Sequence, residues 1–121
     1  MQVLLIDKNA KERQRIAGLL NSLGLQCDES DSALSAITDM HSTKPEIVFL
    51  DSLSVASAPA LLQELNLAGR AAPRKIICYT NAPSVDDISA CILAGALDVL
   101  VQPFDRDLLR FKLEQSGLLP H

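Results

Sequence analysis

The chain has 121 residues, a net charge of -4 and a hydrophobic fraction of 48%. That length suits one domain with one core, and the acidic balance, with no basic stripe, speaks against a nucleic-acid-binding module. Aromatics make up 3% and Trp is absent, so the core must be aliphatic and base-stacking platforms are disfavoured.

Val3-Leu4-Leu5-Ile6 reads as a strand buried on both faces, and it ends on Asp7. Asn9 with Glu12 has the shape of a capping box. Ile16, Leu19, Leu20 and Leu23 then fall at helical spacing, and Gly24 closes that helix. Leu25 to Glu29 alternates weakly and is short, which suits an edge strand. Ser30 or Asp31 caps a second helix, with Ala33, Ala36, Ile37 and Met40 on its inner face.

The run Ile47-Val48-Phe49-Leu50 shows no polar alternation and stops on Asp51. A strand buried on both faces fits it, with the charge emerging where the strand leaves the core. A loop of small residues leads to Pro59, which is well placed for a first helical turn. Leu61, Leu62 and Leu65 follow, and Gly69 is the stop. Lys75 to Tyr79 is the next strand and ends on Thr80. Ser84 and Asp87 form another capping-box pattern before Ile88, Cys91 and Ile92, and that helix ends at Ala94-Gly95-Ala96. Val99-Leu100-Val101 is the last strand. It runs into Gln102-Pro103-Phe104, and a final helix carries Leu108, Leu109, Phe111 and Leu113.

Strand followed by helix, repeated five times with short connections, calls for a parallel sheet with helices on both faces. The expectation is one domain over residues 1–121. No G-x-G-x-x-G or Walker loop is present, which disfavours nucleotide binding of those kinds. Cys27, Cys78 and Cys91 are widely spaced and read as reduced thiols in a cytoplasmic protein. His41 and His121 are isolated and read as surface residues. The stretch before Asp7 is too short for a signal peptide or a membrane span.

The strand ends are Asp7 with Lys8, Asp51, Thr80, and Gln102-Pro103. In a parallel sheet they share one rim, the edge where ligands gather in open α/β sheets. Together with Tyr79-Thr80, Ala94-Gly-Ala-Leu-Asp98 and Gln102-Pro-Phe104, they make the chain resemble the receiver domain of two-component response regulators. The resemblance covers nearly the whole chain. It implies a flavodoxin-like (CheY-like), doubly wound, five-stranded parallel sheet of order 2-1-3-4-5. It also implies a phosphoacceptor role for Asp51, Mg²⁺ binding by an acidic pair that begins at Asp7, phosphoryl contact from Thr80, and a cis bond before Pro103. The fourth helix, fifth strand and fifth helix, roughly Ser84 to Leu113, correspond to the surface used for partner binding or homodimerisation.

Three positions depart from the family pattern. Lys8 stands where the second Mg²⁺-binding carboxylate would be, Gln102 replaces the active-site lysine, and Val99 replaces the aromatic switch residue. Mg²⁺ normally neutralises much of the charge in phosphoryl transfer, and a lysine beside the ion repels it. The leading expectation is therefore a pseudo-receiver: a protein-interaction module that is not an enzyme and needs no cofactor, with Lys8 as a built-in cation beside Asp51. A second reading keeps a Mg²⁺-dependent phosphoacceptor at Asp51 of reduced efficiency, with a histidine kinase or phosphotransfer protein upstream and an effector downstream. A third, of another class, is a small flavodoxin-like enzyme or cofactor binder. The absence of a phosphate loop and of a catalytic His or Cys near the rim speaks against it. No reading involves a membrane.

Overall fold

The computed structural model describes residues 2–32, 35–36, 38–39, 45–52, 75–81, 84–93 and 95–120. Five strands are present among them: β1 (Gln2–Ile6), β2 (Gln26–Ser30), β3 (Ile47–Asp51), β4 (Lys75–Thr80) and β5 (Ala96–Val101). They form one sheet of order β2-β1-β3-β4-β5, and all four pairings are parallel. The weakly alternating segment lies at the sheet's edge, as expected. The four-residue apolar run lies at its centre. Three helices are fully bounded: α1 (Ala10–Ser22), α2 (Val85–Leu93) and α3 (Arg106–Gln115).

Side chains alternate across a strand, and the two faces therefore bury different residues. Val3, Leu5, Ile47, Phe49, Ile77 and Tyr79 pack with Ile16, Ala17 and Leu20 of α1 and with Leu109 and Leu113 of α3. Leu4, Ile6, Val48, Leu50, Ile76 and Cys78 form the second cluster, with Ala36 and with Cys91 of α2. By the same alternation, Asp51 and Tyr79 belong to the face covered by α1 and α3. They are also direct register partners.

The helix ends follow local chemistry. Asn9 caps α1 by accepting the Glu12 N–H at 3.0 Å. At the other end Gly24 has φ 87, and the N–H groups of Gly24 and Leu25 return to the carbonyls of Asn21 and Leu20. That pair of bonds is a Schellman motif. Ser84 Oγ accepts the Asp87 N–H at 3.1 Å to start α2. Asp105, with an extended backbone, caps α3 by accepting the Leu108 N–H at 2.9 Å.

Several expectations are corrected. The cap after β2 is Ser32, which accepts the Ser35 N–H, rather than Ser30 or Asp31; Ser30 is buried and donates to the Ser32 carbonyl. β5 begins at Ala96, three residues before the apolar triplet, and a register shift between Ile76 and Ile77 leaves Leu97 as the extra residue. Ile92 of α2 and Leu108 and Phe111 of α3, apolar though they are, stand exposed. Of the second helix's inner face, Ala36 is buried. Ala33, Ile37, Met40, His41, Ala94, His121 and the helix expected from Pro59 to Gly69 lie outside the described residues. No helix among the described residues is long and apolar enough to cross a membrane. Cys27, Cys78 and Cys91 are free thiols. Burial is the main cause that pushes Cys27 up to about 12 and Cys78 higher still, which keeps both uncharged and poorly nucleophilic.

Candidate functional site

A cleft of about 450 Å³ opens at the C-terminal ends of the strands, and Asp7, Asp51, Thr80 and Gln102 all line it. The topology therefore brings together the four strand-end residues singled out from the sequence. Asp51 is half-buried as the last residue of β3, and Thr80 is buried as the last residue of β4. The Gln102 N–H donates to the Thr80 carbonyl at 2.7 Å and ties the end of β5 to its neighbour. The Gln102–Pro103 bond is cis, as the resemblance implies.

Asp7 is only 5% exposed. A buried carboxylate needs hydrogen-bond donors, and the described residues supply two. Its Oδ1 accepts the Asn9 N–H at 2.9 Å, and its Oδ2 accepts the Tyr79 hydroxyl at 2.8 Å. Tyr79 belongs to β4 and Asp7 follows β1, with β3 between them in the sheet. The phenol thus reaches past the central strand to the far side of the cleft. Burial pushes its acidity well out of the normal phenol range; Asp7, then Asp51 and Glu12, add to this by charge repulsion. The hydroxyl accordingly stays protonated and is the donor. Its ring meets Phe104 edge-on at 6.3 Å.

Lys8 is exposed, does not line the cleft and forms no ion pair with any described residue. The expectation that it stands beside Asp51 as a built-in cation is corrected on that point, since a solvated ammonium is heavily screened. Among the described residues, the cation that lines the cleft is Arg15. It donates from Nε at 2.9 Å, and from a terminal nitrogen, to Glu12 Oε1. It also donates to the Phe104 carbonyl at 3.2 Å and lies 5.4 Å from the centre of the Phe104 ring. Gln102 Nε2 donates to the same Glu12 oxygen at 2.8 Å.

Glu12 was expected to complete a capping box. Its backbone N–H does take part, but its side chain turns to Arg15 and Gln102 instead. The sequence reading missed Tyr79, Glu12 and Arg15 as cleft residues. For Tyr79 a signal existed: a buried phenol requires a partner, and its strand parity matches that of Asp51. For Glu12 and Arg15, i,i+3 spacing showed that they could pair but not that they would face the rim.

The Arg15 hydrogen bonds are the largest influence on Glu12. They outweigh its partial burial and, helped by the Gln102 amide, hold its carboxyl below the ordinary value of 4.5. A depressed acid contributes stability that is complete above its unfolded value and is lost as pH falls through its folded value. Thermal unfolding followed from neutral into acid pH will show this loss below about pH 4.5. Glu12→Gln will make that acid limb shallower, and an unchanged limb would remove Glu12 as a contributor.

The family model of the response regulator receiver domain matches residues 3–114. The chain belongs to that family: it is a CheY-like receiver module of two-component signalling. Among individual relatives, it is 24% identical over 108 residues to the nitrogen assimilation regulatory protein NtrX of Azorhizobium caulinodans, a match covering 88% of this chain and 24% of the relative. The chain thus spans about a quarter of that relative's length. A response regulator from Thermotoga maritima superposes with TM-score 0.81 at 19% identity, covering 95% of each chain. The receiver domain of a Pseudomonas aeruginosa sensor histidine kinase, with a magnesium ion coordinated in its active-site cleft, superposes with TM-score 0.77 at 24% identity, covering 96% of this chain and 97% of its own. These likenesses carry the fold alone.

The donor set suits Mg²⁺ poorly. Mg²⁺ demands near-ideal octahedral oxygen coordination. Here each Asp7 oxygen already accepts a hydrogen bond, which leaves one lone pair on each, and the next side chain is a lysine that repels a cation. Among the described residues, no group of three acidic, His or Cys side chains is placed to hold a metal.

Proposed function

We propose that this receiver domain, read as one unit over residues 1–121, works as a phosphorylation-independent protein-interaction module. The observation that carries the reading is the 2.8 Å hydrogen bond from Tyr79 to Asp7. It commits to the protein itself a carboxylate that the family uses for metal. Lys8 in the second acidic position takes away the other metal-binding carboxylate, and Gln102 in the lysine position takes away a positive charge that would draw a phosphoryl group to Asp51. The binding surface is the region from Ser84 to Leu113. Val85, Ile92, Leu93, Leu97, Val101 and Phe111 are all exposed there, and a cluster of exposed apolar side chains marks a protein contact. Its occupant is a protein effector or a second copy of the chain. The net charge of -4 gives nucleic acid no purchase.

A second reading, a Mg²⁺-dependent phosphoacceptor at Asp51, is favoured by one observation: Asp51 and Thr80 still share the cleft. Incubation with a small-molecule phosphodonor and Mg²⁺, followed by intact-mass measurement, separates the two. The wild type will show no phosphoryl adduct, and Lys8→Asp with Gln102→Lys will gain one. A wild-type adduct as abundant as the double variant's would establish the second reading.

A further inference from the structure

The cleft holds donors that are already spent on an internal anion. Gln102 is anchored through its backbone at 2.7 Å from the Thr80 carbonyl, and it gives its side-chain amide to Glu12 at 2.8 Å. Arg15 is anchored by the Phe104 carbonyl at 3.2 Å and by the Phe104 ring beneath it, and it gives two further donors to the same Glu12 oxygen. Neither anchor involves Glu12, so the Arg15 guanidinium and the Gln102 backbone stay tied to the cleft when its carboxylate is removed, and the Gln102 amide is released to a new acceptor. A guanidinium and an amide converging on one point, beside the buried Thr80, make a receptor for a small oxyanion. Glu12 fills that point from the first turn of α1.

We propose that Glu12 is a selectivity residue: its carboxylate occupies the oxyanion-binding donors of the cleft and closes it to phosphate-like ligands. The proposal rests on the phosphorylation-independent reading above, to which it adds the means of exclusion. A phosphate entering the wild-type cleft must displace Glu12 from three hydrogen bonds and then sit near its charge, as well as near Asp7 and Asp51. Removing the Glu12 side chain frees the donors and takes away one of those charges. Alanine is a strong helix former, so α1 tolerates the change.

The test is titration with inorganic phosphate at constant ionic strength, without Mg²⁺ or phosphodonor, followed by amide NMR. Charge-assisted hydrogen bonds of this kind correspond to roughly a tenfold to hundredfold change in affinity. Glu12→Ala will bind phosphate at least about tenfold more tightly than the wild type, with saturable shifts at the Gln102 side-chain amide and at Thr80. Adding Arg15→Gln will abolish the gain. Glu12→Gln, which keeps the side-chain shape, will gain in the same direction but by less; it serves as the test if the alanine variant does not fold. Equal phosphate affinity in wild type and Glu12 variants, or a gain that survives Arg15→Gln, overturns the proposal. A phosphoryl adduct on the wild type would instead overturn the phosphorylation-independent reading and leave this result standing, because the titration uses neither donor nor metal.

Discussion

Tyr79→Phe will lower the stability of the domain by about 1–3 kcal/mol, the cost of stranding a buried polar group. The substitution removes one oxygen and leaves the ring in place against Phe104. What is lost is the hydroxyl donor to Asp7, a carboxylate only 5% exposed. Among the described residues, the Asn9 N–H is then the donor left to that charge. The measurement is the urea midpoint at unchanged m-value. Asp7→Asn in the Tyr79→Phe background will cost less than in the wild type, because the two side chains act as a pair. Additive losses would show that the hydroxyl and the carboxylate are independent, leaving Asp7 free to take a metal.

Phe49→Ala will cost more, about 3–5 kcal/mol, the usual range for emptying a buried aromatic site. Phe49 is 0% exposed in the central strand, packed within the larger core cluster. Its side chain packs between the sheet and the two helices that cover it, α1 and α3, so its removal leaves a cavity in the core. Phe111→Ala provides the contrast. Phe111 is 55% exposed, so its removal should change stability by no more than about 0.5 kcal/mol. Its effect should appear in self-association or partner binding, read by sedimentation. A large loss of stability from Phe111→Ala would mean that this face belongs to the fold rather than to an interface.

Much of the architecture was legible because two signals were strong. Unbroken apolar runs of four residues such as Ile47 to Leu50, rich in β-branched and aromatic residues, suit a strand covered on both faces, and each one ended on a polar residue. Glycines at helix ends, Gly24 and Gly95 among them, marked where the chain turns with positive φ. Boundaries were weaker. Ala96 and Leu97 were not assigned to the last strand, because Leu97 is half-exposed and the register shift beside it breaks simple alternation. Ile92, Leu108 and Phe111 sit in the same helices as the buried Cys91, Leu109 and Leu113, yet they are exposed; which side of a helix is covered is decided by packing and not by its apolar content.

The order of residues along the chain determined the alternation of strand and helix, and with it the shared rim of Asp7, Asp51, Thr80 and Gln102. Those features follow from local patterning and from the geometric rules of parallel sheets. Only the folded molecule decided which charges meet there. Arg15 enters the cleft while Lys8 stays in water; Glu12 faces Gln102 ninety positions away; and Tyr79 crosses the central strand to reach Asp7. A side chain's partner depends on its direction and reach once distant segments are packed together, and neither quantity is written in the spacing of neighbours along the chain.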